Sequence, residues 1–281
     1  MDDGLLVRPQ DFSPAHDPDI DATILEGVKL ANLNVGAAAY LCDLQSMRYG
    51  QWRAREAIYP ASVVKVPIMT EAFHRYAEGS LSPEHAVTVS ARNQTATSGP
   101  APFGAGKATN VGELVDFMIV HSDNVATNEL IDLLDRARVT DYMHALDLQT
   151  FLLGRKLSGA EPLIDDPEMI GRNRLPPIEI GRLLGLIACD AVPGAEQQRE
   201  ILARCADDEK LVPGLATGDI FMHKTGETET VSHDAGILTT KDGLRYIVVL
   251  YCEVQARPDH AEAAWVNPMM TTWMRSVRER L

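Results

Sequence analysis

Tyr59-Pro60-Ala61-Ser62-Val63-Val64-Lys65-Val66-Pro67 is the stretch from which the rest of the 281-residue chain can be read. Pro60 favours an extended approach. After it the apolar residues Val63, Val64, Val66, Ile68, Met69 and Phe73 recur at helical spacing as far as Gly79, a helix stop signal. The pattern predicts a buried helix that opens at Ser62. Residues three apart share a helix face, so the Lys65 ammonium is expected beside the Ser62 hydroxyl. Burial disfavours the charged form of a lysine, and a neutral Lys65 could take the Ser62 proton. The unpaired N–H groups at the helix start could then stabilise an oxyanion formed next to Ser62.

With 11 serines and 7 lysines in the chain, chance alone gives roughly 0.3 matches to S-x-x-K, so this motif by itself decides nothing. Ser122-Asp123-Asn124 and Lys224-Thr225-Gly226 change the odds; each is expected by chance only about 0.03 times. S-x-x-K, S-D-N and K-T-G in that order resemble the motif set of class A β-lactamases and penicillin-binding proteins.

Composition is compatible with that chemistry and excludes other classes. A net charge of −14 and a pI near 5.0 argue against nucleic acid or anionic membrane as partner and leave small molecules. There is no run of 18 apolar residues, so no membrane span is expected. The N-terminus lacks the basic patch and apolar core of a signal peptide. As written the chain reads as cytoplasmic; a trimmed form of an exported protein, periplasmic or secreted, would look the same. Cys42, Cys189, Cys205 and Cys252 show no metal spacing and read as buried thiols, and the eight histidines form no ligand cluster. No metal and no cofactor is expected.

Moving outward from Ser62, segments 35–44 and 48–58 read as a hairpin that runs into the nucleophile. A first helix over 20–33 precedes them, capped by Asp19 or Asp21, behind a Pro- and Asp-rich arm at 1–18. On the other side, 80–110 is a loop-rich crossing containing Phe103, which reads as a packed aromatic rather than a substrate contact. Helices follow at 111–120 and 125–134, with Ser122-Asp123-Asn124 in the break between them. A polar triplet there is ordinarily a capping turn. Pro176 and Pro177 open a helix with Ile180, Leu183, Leu184 and Ile187 on its apolar face, and another over 195–205 completes the middle of the chain. Strands return at 220–223, 233–240 and 244–254, with Lys241-Asp242-Gly243 as a tight turn, before a last amphipathic helix at 260–280. The reading is an α/β (α+β) single domain over 19–281. Its α/β lobe takes 19–61 and 213–281, and its helical lobe takes 62–212.

The resemblance implies a β-lactamase/transpeptidase-like fold: a five-stranded antiparallel sheet with terminal helices beside an all-helical lobe, the active site in the cleft between them. It also implies roles. Ser62 is the acylated nucleophile, Lys65 its base or proton relay, and Ser122 the hydroxyl that passes a proton to the leaving nitrogen. Asn124 binds the substrate's amide, and Asn128 helps fix the facing loop. Asp123 is structural. Lys224 and Thr225 bind a carboxylate, and the backbone N–H of Glu227 joins that of Ser62 in the oxyanion site. Glu227, Thr228 and Glu229 stand where the family has small residues. They add negative charge where carboxylates should bind, and Arg245, Arg275 and Arg278 are the candidate counter-charges. Glu161, in Glu161-Pro162-Leu163, resembles the family's deacylating glutamate, with Asp165, Asp166 and Glu168 as competitors and solvated loop carboxylates as the plain alternative.

The expected activity is that of a monomeric serine hydrolase acting on an amide or ester, β-lactams included, with slow deacylation. A penicillin-binding-protein-like peptidase or transpeptidase and a non-enzymatic ligand-binding relative are the alternatives.

Overall fold

A computed structural model describes residues 12–33, 36–97, 99–256 and 263–281. The first helix, α1 (Pro18–Leu30), starts two residues earlier and ends three residues earlier than the expected 20–33. Asp17, not Asp19 or Asp21, is its cap: the Asp17 side chain accepts from the Asp19 N–H, and Pro18 occupies the first helical position, where no N–H is needed.

Strands β2 (Ala37–Asp43) and β3 (Arg48–Trp52) form the hairpin ahead of Ser62. Strands β6 (Ile220–Glu227), β7 (Val231–Thr239) and β8 (Arg245–Glu253) join them in the order β3-β2-β8-β7-β6, every neighbouring pair antiparallel. This is the expected five-stranded sheet. A sixth strand, β1 (Ala15–His16), pairs parallel with the outer edge of β3. The expectation of a loose arm is therefore corrected for its described part. Phe12 is buried and its carbonyl accepts from Arg182, while the Ala15 and Asp17 N–H groups bond the Met47 and Tyr49 carbonyls. The open edge of β3 offers unpaired backbone groups, and an extended segment following Pro14 can satisfy them. Residues 1–11 of the arm lie outside the described residues.

The sheet is apolar on both faces because helices cover both. Ala38, Tyr40 and Cys42 of β2 face one core, and Ala37, Ala39 and Leu41 face the other. Ile247, Val249 and Tyr251 alternate with Val248, Leu250 and Cys252 along β8 in the same way. The second core is closed by α1 and by α8 (Asn267–Arg278), whose buried Trp273 donates to the Ile24 carbonyl.

The first core continues into the helices between the two halves of the sheet. These are α2 (Lys65–Glu78), α3 (Val111–Val120), α4 (Asn124–Leu134), α5 (Arg136–Ala145), α6 (Pro177–Ala188) and α7 (Ala195–Leu202). Helix α2 ends at Gly79, which at φ +71° takes the left-handed cap conformation. Helix α5 and the short strand pair β4 (Ala86–Thr88) with β5 (Ala108–Asn110) were not expected. Among the described residues no helix is long and apolar enough to cross a membrane.

Candidate active site

The chain leaves β3, passes Tyr59 and Pro60, and enters a 3-10 turn over Ala61–Val64 that runs straight into α2. In a 3-10 turn residues three apart eclipse, so Ser62 and Lys65 share a face. Ala61, just before Ser62, sits at φ +46°, and Ser122 at φ +56°. Both are left-handed conformations that non-glycine residues rarely take, and such strain collects at functional sites.

Two contacts across the sheet hold this turn. Gly226 on β6 packs so closely that a Cβ there would stand 2.8 Å from the Pro60 carbonyl oxygen and 3.0 Å from the Ser62 nitrogen. The glycine of K-T-G thus lets the strand abut the turn that carries Ser62. Behind it, buried His233 is 2.9 Å from the Tyr59 carbonyl through Nε2, and its Nδ1 lies 3.2 Å from the Cys252 N–H. A backbone N–H can only donate, so Nδ1 is the acceptor and the proton sits on Nε2, which donates to Tyr59. Burial pushes the His233 pKa down to about 4, keeping the ring neutral. His233 stacks on Tyr251 at 4.0 Å and pins the loop that delivers Ser62. Sequence reasoning did not find it, since a lone histidine in a strand carries no signal of its partner.

Lys65 is fully buried. Its Nζ donates to the Ser122 carbonyl at 2.6 Å, and lies 3.0 Å from Ser122 Oγ and 2.9 Å from Asn124 Oδ1. Burial holds its pKa well below the usual lysine value, the Lys224 charge pushes the same way, and Asp123 opposes them. This geometry suits an amine. Two N–H bonds serve the carbonyl and the amide oxygen, and the lone pair is left to accept a proton from a hydroxyl.

The S-D-N triplet both caps a helix and surrounds Lys65 Nζ. Asp123 caps α4, its Oδ1 accepting from the Ala126 N–H at 2.8 Å, while Ser122 and Asn124 on either side hold Lys65. The Asn124 amide nitrogen also donates to the Ala96 carbonyl at 3.1 Å, which uses one of its two N–H groups.

Lys224 is buried on β6, its Nζ donating to the Thr225 carbonyl at 3.0 Å, and burial lowers its pKa. Thr225 and Glu227 follow on the same strand. The expected arginine counter-charges are engaged elsewhere: Arg245 with the Ala188 carbonyl, Arg275 with that of Pro213, and Arg278 with Asp219. The cation that meets Glu227 is Lys210, at 2.7 Å. It lies in the run Asp207-Asp208-Glu209-Lys210, where nothing in the sequence singles it out.

The loop over 152–177 is tied down by Asn128 and Arg136 from outside it and by Asn173 and Asp166 within it. Asn128 bonds both the N–H and the carbonyl of Leu157, each at 2.9 Å, in keeping with its expected loop-fixing role. Asn173 Oδ1 accepts from the Gly154 and Arg155 N–H groups. Asp166 forms a buried two-pronged pair with Arg136 at 2.7 and 3.1 Å and also accepts from the Lys156 N–H. Asp165 and Glu168 are exposed. Glu161 is exposed as well, and its carboxylate accepts from the Leu163 N–H at 3.1 Å on its own loop. The structure therefore brings Lys65, Ser122 and Asn124 together and sets β6 against Ser62. It leaves Glu161 outside that network. Phe103 packs edge-on against Phe117 in the core.

This architecture recurs in solved structures. PBP-A superposes with a TM-score of 0.81 at 20% identity, covering 96% of this chain and 98% of that one. A point mutant of PBP-A, solved as an acyl-enzyme complex with penicillin G, gives 0.78 at 21% identity, covering 95% and 98%. A β-lactamase from Sphaerobacter thermophilus gives 0.77 at 21% identity, covering 91% and 95%. At such identities the likeness establishes the β-lactamase/transpeptidase-like fold. No curated protein sequence matches the chain. The family model of the beta-lactamase enzyme family does match it, over residues 25–268. With S-x-x-K, S-D-N and K-T-G inside that span, the chain belongs to the beta-lactamase enzyme family.

Proposed function

We propose that this protein is a serine hydrolase that is acylated at Ser62 by an amide or ester, β-lactams among them, and that releases the acyl group slowly. The observation that carries this reading is the buried Lys65, three residues after Ser62, bonded to Ser122 Oγ and Asn124 Oδ1. As the Ser62 hydroxyl attacks the carbonyl, Lys65 Nζ takes its proton. Lys65 then resupplies Ser122, whose hydroxyl protonates the leaving nitrogen or oxygen. The backbone N–H groups of Ser62 and Glu227 stabilise the oxyanion. Asn124 orients the substrate amide, and Lys224 with Thr225 takes a substrate carboxylate.

Release needs a water and a base within about 3 Å of it. Asp166 is spent on Arg136, and Glu161 turns to its own loop. These engagements support a persistent acyl-enzyme, and they favour a second reading, in which an amine rather than water takes the acyl group as in a transpeptidase. The PBP-A mutant, a fold relative, was captured as a penicillin G acyl-enzyme. A fluorescent penicillin should label the chain, peptide mapping should find the adduct on Ser62, and Ser62→Ala should abolish it. Labelling that survives the substitution would refute the assignment.

A further inference from the structure

The four cysteines sit in unlike surroundings. Cys42 and Cys252 are fully buried in the sheet, and burial pushes both thiols up to about 12. Cys189, at the end of α6, is half-buried, and burial raises it as well. Cys205 follows α7 in a segment that the Ala206 N–H ties to the Val120 carbonyl at the end of α3. Arg204 and Ala206 on either side are exposed, and Cys205 itself keeps 8% of its surface in solvent. Its sulfur accepts from the Asp207 N–H and from His223, with the Lys224 ammonium nearby. His223 finds room on the strand because its β7 partner is Gly236, where a Cβ would stand 2.6 Å from the His223 Cβ. The ring stacks on Phe221 at 4.7 Å, with Nδ1 2.8 Å from Asp234 Oδ1 and Nε2 3.3 Å from Asp208 Oδ1. An ionised carboxylate can only accept, so both ring nitrogens carry hydrogens and His223 is an imidazolium. Burial alone would neutralise it, and the two carboxylates outweigh burial. Burial likewise favours the neutral Cys205 thiol, and the His223 bond and the Lys224 charge outweigh it, lowering this cysteine while the other three are raised.

We propose that Cys205 is an oxidation site: its sulfur, set as a thiolate among His223, the Asp207 N–H and Lys224, takes an oxygen from a hydroperoxide and becomes a sulfenic acid. The thiolate is the reactive form of cysteine, and an electropositive setting with a small opening to solvent is where it reacts. With hydrogen peroxide the sulfur attacks one peroxide oxygen, and the S–O bond forms as the O–O bond breaks. The sulfur gives up two electrons to the peroxide, and the hydroxide that leaves takes a proton from His223 and departs as water. The thiolate and imidazolium both end neutral, which removes a negative charge beside Lys224, the first residue of K-T-G. Nothing in this step uses Ser62.

The test treats the folded whole chain with one equivalent of hydrogen peroxide in the presence of dimedone, a cyclic diketone that traps sulfenic acids, and maps the adduct by peptide mass spectrometry. Cys205 should carry at least about tenfold more adduct than any of Cys42, Cys189 and Cys252, even though Cys189 is the more exposed. Cys205→Ser should lose the adduct without moving it to another cysteine. His223→Asn removes the imidazolium and should slow the trapping at Cys205 about tenfold; a merely structural loss would open the site and speed it. Should His223→Asn fail to fold, the distribution over the four cysteines of the wild-type protein decides alone. Adduct led by Cys189, none on Cys205, or unslowed trapping in a folded His223→Asn would overturn the proposal. Because no acyl donor is present, none of these outcomes bears on acylation at Ser62.

Discussion

The turn that carries Ser62 and the loop over 152–177 lie in one structure, yet they treat their ionisable groups in opposite ways. Around Ser62 an amine is buried, given oxygen partners at 2.6 to 3.0 Å, and pushed toward its neutral form. On the loop the acids are either exposed, as Glu161, Asp165 and Glu168 are, or locked in a structural pair, as Asp166 is with Arg136. Buried and poised groups do chemistry; solvated or fully paired ones hold shape. On the proposed reading acylation and release are therefore separable, and the acylation half-reaction is the better equipped.

The largest effect is expected at Lys65. Lys65→Ala should slow Ser62 acylation by about 10³- to 10⁴-fold. Lys65→Arg should not rescue it, because a guanidinium does not give up its proton. An active arginine variant would break the comparison on its strong side. The pH dependence sharpens the same point. Acylation needs neutral Lys65, so its rate should rise with pH through a midpoint well below that of a free lysine, since burial and Lys224 lower the group. Stopped-flow acylation rates across pH would measure it, and a midpoint at the ordinary lysine value would contradict the assignment.

His233 tests whether the nucleophile turn depends on the sheet behind it. Its folded pKa of about 4 lies below the unfolded value of about 6.5. Between those values the unfolded chain takes up a proton that the folded one refuses. Stability from this group is thus intact above pH 6.5 and falls as the pH drops toward 4, by about 3 kcal/mol in all. Urea unfolding at pH 7 and pH 4.5 should show that part of the acid loss missing in His233→Gln. An identical acid loss in both proteins would remove His233 from the account.

The smallest effect is expected on the loop. Glu161→Gln should change the lifetime of the acyl-enzyme by no more than about twofold, because its exposed carboxylate accepts from the Leu163 N–H of its own loop. A much longer-lived adduct would show instead that the loop closes Glu161 onto the site.

These two regions also mark how far the sequence could be read. Ser62, Lys65 and their helix were legible because three-residue spacing is local, and the order of K-T-G after S-D-N carried the family. The five strands of the antiparallel sheet were legible as apolar runs, although β6 runs on past His223 to Glu227 and β3 stops at Trp52, and the Gly79 stop appears where expected. Helix α5 was not, since Arg136, Arg138 and Asp141 break the apolar period and only Val139 and Met143 supply its buried apolar contacts. The joining of β1 to the sheet was hidden because an edge pairing of two residues has no periodicity. Lys210, His233 and the fate of the loop acids escaped for one reason. Each is decided by a partner far along the chain, Glu227, Tyr59 or Arg136, that only the folded pairing brings near.

The most direct measurement of the central claim is an intact-mass time course of the wild-type protein with excess penicillin G, following adduct and hydrolysed product together. One acyl group per chain, located on Ser62, should accumulate early and outlast many acylation times while product grows slowly. Rapid penicillin hydrolysis with no accumulating adduct, or an adduct on another residue, would contradict it.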